Sequence, residues 1–130
     1  MNILMILMRR IEDVASDTRV IKESLSLLAA GYNIHIICNC ESNSSKTVRM
    51  ENYNGINLIG VRLHPNKLGR RFRLIYYVNK FAKQYNAKIV HCHDLPALEI
   101  GFFVWSLKVK IVYDSHELFT HSVGVQPRSR

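Results

Sequence analysis

Residues 3–7, Ile-Leu-Met-Ile-Leu, are five apolar residues in succession. Successive side chains of a strand point to opposite faces, so a strand open to water on one side alternates apolar with polar residues. The run Asn2 to Leu7 does not alternate, and a strand there needs cover on both faces, as in a parallel sheet between helices. Each later segment has to be read against that demand.

Ser16 or Asp17 is placed to cap a helix running to about Ala30, with Val20, Ile21, Leu25, Leu28 and Ala29 at helical spacing. Gly31 follows as a left-handed C-cap would. Asn33–Asn39 reads as a second strand, Glu41–Thr47 as a polar loop, and Gly55–Leu63 as a third strand nearer a sheet edge. Leu68–Tyr85 reads as a basic amphipathic helix with two apolar stripes. One is Leu74, Tyr77, Val78, Phe81 and Tyr85; the other is Leu68, Phe72, Ile75 and Tyr76. Ala87–Cys92 is a fourth strand. Pro96 opens a helix to about Leu107, and Val109–Tyr113 is a fifth strand. The pattern ends after Phe119, so 120–130 is expected to be a disordered or non-native tail and 1–119 a partial domain.

Strands alternating with helices imply an α/β, Rossmann-like three-layer sandwich. Right-handed crossovers lay about five parallel strands out as 3-2-1-4-5. The winding reverses between strands 1 and 4, and ligands of such sheets bind outside the C-terminal strand ends at that point. Three segments open there: the loop Met8–Asp17, "HCHD" after strand 4, and "DSHE" after strand 5. His93 and Asp94, then Asp114, Ser115, His116 and Glu117, are the candidate ligand-facing residues. Asp114 and Ser115 serve equally as a cap before a helix, and Asp94 as one before Pro96. His91, His93, Asp94, His116 and Glu117 offer N and O ligands to a metal, although no HExxH spacing supports one. Ser115 lacks a GxSxG setting, and the first loop lacks GxGxxG.

The chain has 130 residues, enough for one domain with a core, and a net charge of +8. That charge is local. From Asn52 to His93 there is no acidic residue and eight Lys or Arg. Such a patch suits an anionic partner, either nucleic acid, anionic lipid or a phosphorylated substrate. "IGFFVW" is too short to cross a bilayer. At the N-terminus the basic residues follow the apolar ones, the reverse of a secretory signal. A cytoplasmic protein is expected. Cys38, Cys40 and Cys92 have no metal-type spacing and lie in or beside strands, where buried free thiols are common.

Four stretches together resemble the N-terminal domain of retaining glycosyltransferases of the GT-B fold, the glycosyltransferase group 1 or "glycosyltransferase 4-like" type. They are "MNILMI", "SDTRVIKESLSLLAAGYNIHIIC", "AKIVHCHDLPALEIG" and "KIVYDSHELF", in order through residue 119. The resemblance implies a two-domain cleft in which this half shapes the acceptor side. It implies that His116 touches the transferred sugar and that Asp114, Ser115 and Glu117 shape the same wall. It sets His93 and Asp94 toward the acceptor, and Asp17 and Arg19 near the donor phosphates. His116 and Asp94 are the implied catalytic residues, with no metal and no cofactor.

The implied partners are a nucleotide-sugar donor and a sugar or lipid-linked acceptor, with the donor-binding half supplied by a C-terminal domain or a separate subunit. An anionic membrane surface is a further partner through Lys67–Lys83, which would make the protein peripheral at the inner membrane face; nucleic acid is not the expected one. The sequence reads "RRIEDVASD" where many relatives carry Gly-Gly, and it holds no E-x7-E element. These 130 residues alone are therefore expected to be inactive. A basic nucleic-acid or anionic-surface binding module and a small metal-dependent hydrolase remain open as other readings.

Overall fold

The computed structural model describes residues 1–41, 46–93, 97 and 109–114. The first strand, β1 (Asn2–Arg10), is buried from Ile3 through Leu7, as its unbroken apolar run requires. It extends three residues beyond the expected end at Leu7, after a register shift between Ile6 and Arg10. A short helix, α1 (Ile11–Val14), replaces the expected open loop because Ile11 and Val14 are both buried against the sheet. Gly60 makes that approach feasible: a Cβ there would stand 3.1 Å from Ile11 Cδ1.

Helix α2 (Thr18–Ala29) starts where the sequence indicates, with the Asp17 side chain accepting a hydrogen bond from Val20 N. Gly31, at φ 100°, ends it in the left-handed region that glycine enters without steric cost. Then follow β2 (Asn33–Cys40), β3 (Val48–Tyr53), β4 (Ile56–Arg62), α3 (Lys67–Gln84), β5 (Ile89–His93) and β6 (Lys110–Asp114). Of the helix expected from Pro96 to Leu107, only Ala97, helical and buried, is among the described residues.

The sheet has six strands in the order β3-β4-β2-β1-β5-β6. Both count and order differ from the expected five-stranded 3-2-1-4-5. The difference is β3, which pairs antiparallel with β4 at the edge and makes the sheet mixed. Asn54 and Gly55, at φ 51° and 94°, turn the chain between them. Asn-Gly between strands is a strong hairpin signal. It was masked by the polar, largely exposed residues of β3, which show little of the apolar pattern that marks a strand. Arg49 pairs with Glu51 on the same strand and, at 3.3 Å, ties this edge to Glu12 of α1.

Two apolar layers sandwich the sheet. Leu4, Ile6, Ile37, Ile59, Val90 and Cys92 meet Leu74, Ile75, Val78 and Phe81 of α3. Ile3, Met5, Leu7, Ile34 and Ile36 meet Ile11, Val14, Val20 and Ile21 on the other face. Only part of the second α3 stripe joins the core. Ile75 is buried, but Leu68, Phe72 and Tyr76 are 61%, 61% and 59% exposed.

At the N-terminal edge of the strands, His35 lies between two amides. Its Nδ1 accepts from Asn57 Nδ2 at 3.0 Å, and its Nε2 faces Asn2 Oδ1 at 3.0 Å. Asn57 Nδ2 also donates to the Tyr85 hydroxyl at 3.2 Å, and the Tyr85 ring stacks on His35 at 3.9 Å. The network fits a neutral imidazole with its proton on Nε2. Burial pushes the His35 pKa below its ordinary 6.5. The unfolded chain therefore binds the extra proton first. The neutral ring's contribution is complete above about pH 6.5 and is lost as the pH falls below that, toward the folded value. Urea unfolding at pH 7.5 and 5.0 should show this loss, and His35→Gln should reduce it. An unchanged pH slope in the variant would exclude His35 as its source.

Candidate functional site

Parallel pairing brings the ends of β5 and β6 level with each other. Leu7 of β1 is level with His93 of β5, and His93 is level with Asp114 of β6. β5 and β6 thus end in one row, beside β1, which runs three residues further to Arg10. Asp94, Ser115, His116 and Glu117 lie outside the described residues. Asp114 is described as the last residue of β6.

On the β1 side of the rim, Asp17 has two bonds. Its Oδ1 accepts from Val20 N at 3.3 Å and its Oδ2 pairs with Arg9 Nε at 3.1 Å. The N-terminus of a helix attracts anions, and here a carboxylate already occupies that position. Asp17 therefore organises the start of α2 and holds Arg9 beside it. Arg19, one residue into the helix, is exposed. The Arg9–Asp17 pair was not anticipated from sequence, because it joins the end of β1 to the cap across the whole of α1.

His91 and His93 share a face of β5, as alternation requires. Their rings stack at 4.3 Å, and both are buried, His93 completely. His91 lies under α2, where its Nδ1 is 3.9 Å from Glu23 Oε2. The signal for Glu23 was available: it is three residues after buried Val20 and next to buried Ser24, at the border of the packed face.

Glu23, His91 and His93 are the one group among the described residues with metal-type side chains gathered together, their ligand atoms all within 4.8 Å of one another. A tetrahedral zinc with bonds of about 2.0–2.2 Å needs its donor atoms roughly 3.3–3.6 Å apart. The 3.9 Å between His91 Nδ1 and Glu23 Oε2 is longer, and His93 has no surface open to solvent. The group as it stands does not fit a metal. The buried thiols are no better suited to chemistry: burial pushes Cys92 up to about 12 and raises Cys38 as well.

The fold is a helix-covered, mostly parallel sheet of the Rossmann-like type. Solved structures share the fold. The sucrose-phosphate synthase of Thermosynechococcus elongatus superposes with a TM-score of 0.69 at 14% identity, over 98% of this chain and 36% of that one. A second structure of that enzyme gives 0.60 at 13% identity, over 91% of this chain and 66% of the other. The family model for Glycosyltransferase Family 4 matches residues 18–130, and the chain belongs to that family. No curated protein matches it in sequence. The chain thus spans little more than a third of the longer synthase structure.

Proposed function

We propose that these residues form the acceptor-side wall of an enzyme that moves a sugar from a nucleotide-sugar donor to a sugar or lipid-linked acceptor. The observation that carries the reading is the level row Leu7, His93 and Asp114. That row lies beside β1, at the rim where ligands of such sheets bind, and Asp94 follows the end of β5 in sequence as Ser115, His116 and Glu117 follow the end of β6.

In this reading His116 contacts the transferred sugar and holds it at the reaction centre. Asp94 faces the attacking hydroxyl, with Asp114, Ser115 and Glu117 completing the wall. Buried His93, stacked on His91, is the support from which Asp94 departs. Asp17 and Arg9 fix the start of α2 at the opposite lip, with Arg19 exposed toward the donor phosphates. Transfer requires preorganised groups around both donor and acceptor. The donor-holding half is a second domain or subunit, and these 130 residues by themselves give no turnover. The enzyme works in the cytoplasm.

The test is a sugar-transfer assay of the 130 residues alone, and of the complete two-domain enzyme with Asp94 or His116 replaced. Turnover by the isolated residues, or unimpaired turnover by both variants, overturns the reading.

A further inference from the structure

Strand β5 differs from its neighbours on the face toward α2. There β1 presents Ile3, Met5 and Leu7, and β2 presents Ile34, Ile36 and Cys38, all apolar. On β5 the same face begins with Ile89 and continues with His91 and His93, because Val90 and Cys92 point to the layer facing α3. Burying an imidazole costs desolvation that a leucine in its place would avoid, and these two rings belong to a line that leads out of the core. Glu23 of α2 stands at one end, with 38% of its side chain exposed. Its Oε2 is 3.9 Å from His91 Nδ1, the His91 ring stacks on His93 at 4.3 Å, and His93 is the last residue of β5, level with Asp114. The helix is fixed at that depth. Ser24, next to Glu23, is fully buried, and its hydroxyl donates to Met5 Sδ of β1 at 3.5 Å.

A carboxylate beside a ring nitrogen favours a proton on that nitrogen and sets the orientation of the ring. A ring held in this way holds in turn the ring stacked on it. Groups at a reaction centre have to be kept within about 0.5 Å of their working geometry by side chains whose own positions are locked. On the transferase reading, we propose that Glu23 is a positioning residue for the acceptor site. It acts through His91 and His93 on the end of β5, from which the chain continues to Asp94. His91 lies two residues before that end, roughly 6.6 Å along the strand. Glu23 therefore works on the wall of the site and not on the substrate. A glutamate that only kept α2 soluble would leave the end of β5 indifferent to its charge, and two histidines that only filled the core would leave it indifferent to Glu23 altogether.

The experiment replaces Glu23 with Gln, which keeps the size of the side chain and removes its charge. In the complete two-domain enzyme the acceptor KM should rise and kcat fall, together lowering kcat/KM for the acceptor about tenfold, less than the about 10²-fold that a misplacement of about 1 Å costs. The donor KM should not change. A merely structural role would reduce the amount of active enzyme and move neither KM. In a double-mutant cycle Glu23→Gln should add nothing to the loss caused by His91→Gln, because its effect passes through that ring. In the 130-residue chain, Glu23→Gln should shift the imidazole nitrogen resonances of both His91 and His93, with the urea midpoint little changed because the Glu23 side chain is partly exposed. An unchanged acceptor KM, additive losses in the cycle, or unmoved His93 resonances each overturn the proposal. If Asp94→Ala and His116→Ala impair transfer and Glu23→Gln does not, the transferase reading stands and the role of Glu23 falls. If all three variants transfer sugar normally, both fall.

Discussion

Replacing His116 with alanine in the complete enzyme is expected to lower turnover by about 10²–10³-fold, the cost of removing one preorganised group from a reaction centre. β6, whose pairing holds the sheet edge, ends at Asp114, two residues before His116 in the sequence. The unfolding midpoint in urea should therefore move little, because substitutions away from the core usually change stability by only about 0.5 kcal/mol. The separation of the two readouts is the point of the experiment. A structural residue loses stability and activity together; a residue at the reacting sugar loses activity alone. If turnover falls only in proportion to folded protein, His116 is not at the reaction centre. His116→Gln, which keeps a hydrogen-bonding group, should retain more activity than the alanine variant.

The second large effect is expected in the core. Leu4 is in β1, central in the sheet, with no solvent exposure, and belongs to the layer facing α3. Leu4→Ala removes buried methyl groups and leaves a cavity between a strand paired on both sides and a helix, so neither wall collapses easily. A loss of about 2–5 kcal/mol is expected, a large fraction of the roughly 5–15 kcal/mol that holds a domain folded. Leu4→Met conserves volume and should cost less than about 1.5 kcal/mol. Tyr76→Ser, on the exposed stripe, should change stability by no more than about 0.5 kcal/mol. Equal losses for Leu4→Ala and Tyr76→Ser in urea unfolding would show that burial does not distinguish the two sites as described.

Local sequence carried the elements that face the core. The unbroken apolar run of β1 demanded cover on both faces, and the structure supplies it from α2 and α3. The cap at Asp17 and the glycine at residue 31 marked both ends of α2, because each acts through bonds or dihedral angles within one turn. The strand-end position of His93 and Asp114 followed from strand order alone, since residues at the ends of adjacent parallel strands must share a rim.

Tertiary structure decided what depends on which surface lies opposite. Neither apolar stripe of α3 reveals in sequence which one the sheet will cover. The sheet takes Leu74, Val78 and Phe81 together with Ile75, leaving Leu68, Phe72 and Tyr76 to solvent. Strand β3 exists because an antiparallel partner, β4, is available to its backbone, not because its side chains need burial. Likewise Arg9 reaches Asp17, and His91 approaches Glu23, only after α1 and α2 have folded back over β1 and β5. Periodicity and capping are local and so are written in the chain. The partner of an exposed arginine, a second apolar stripe or an edge strand is set by distant segments, and the physical cause is packing.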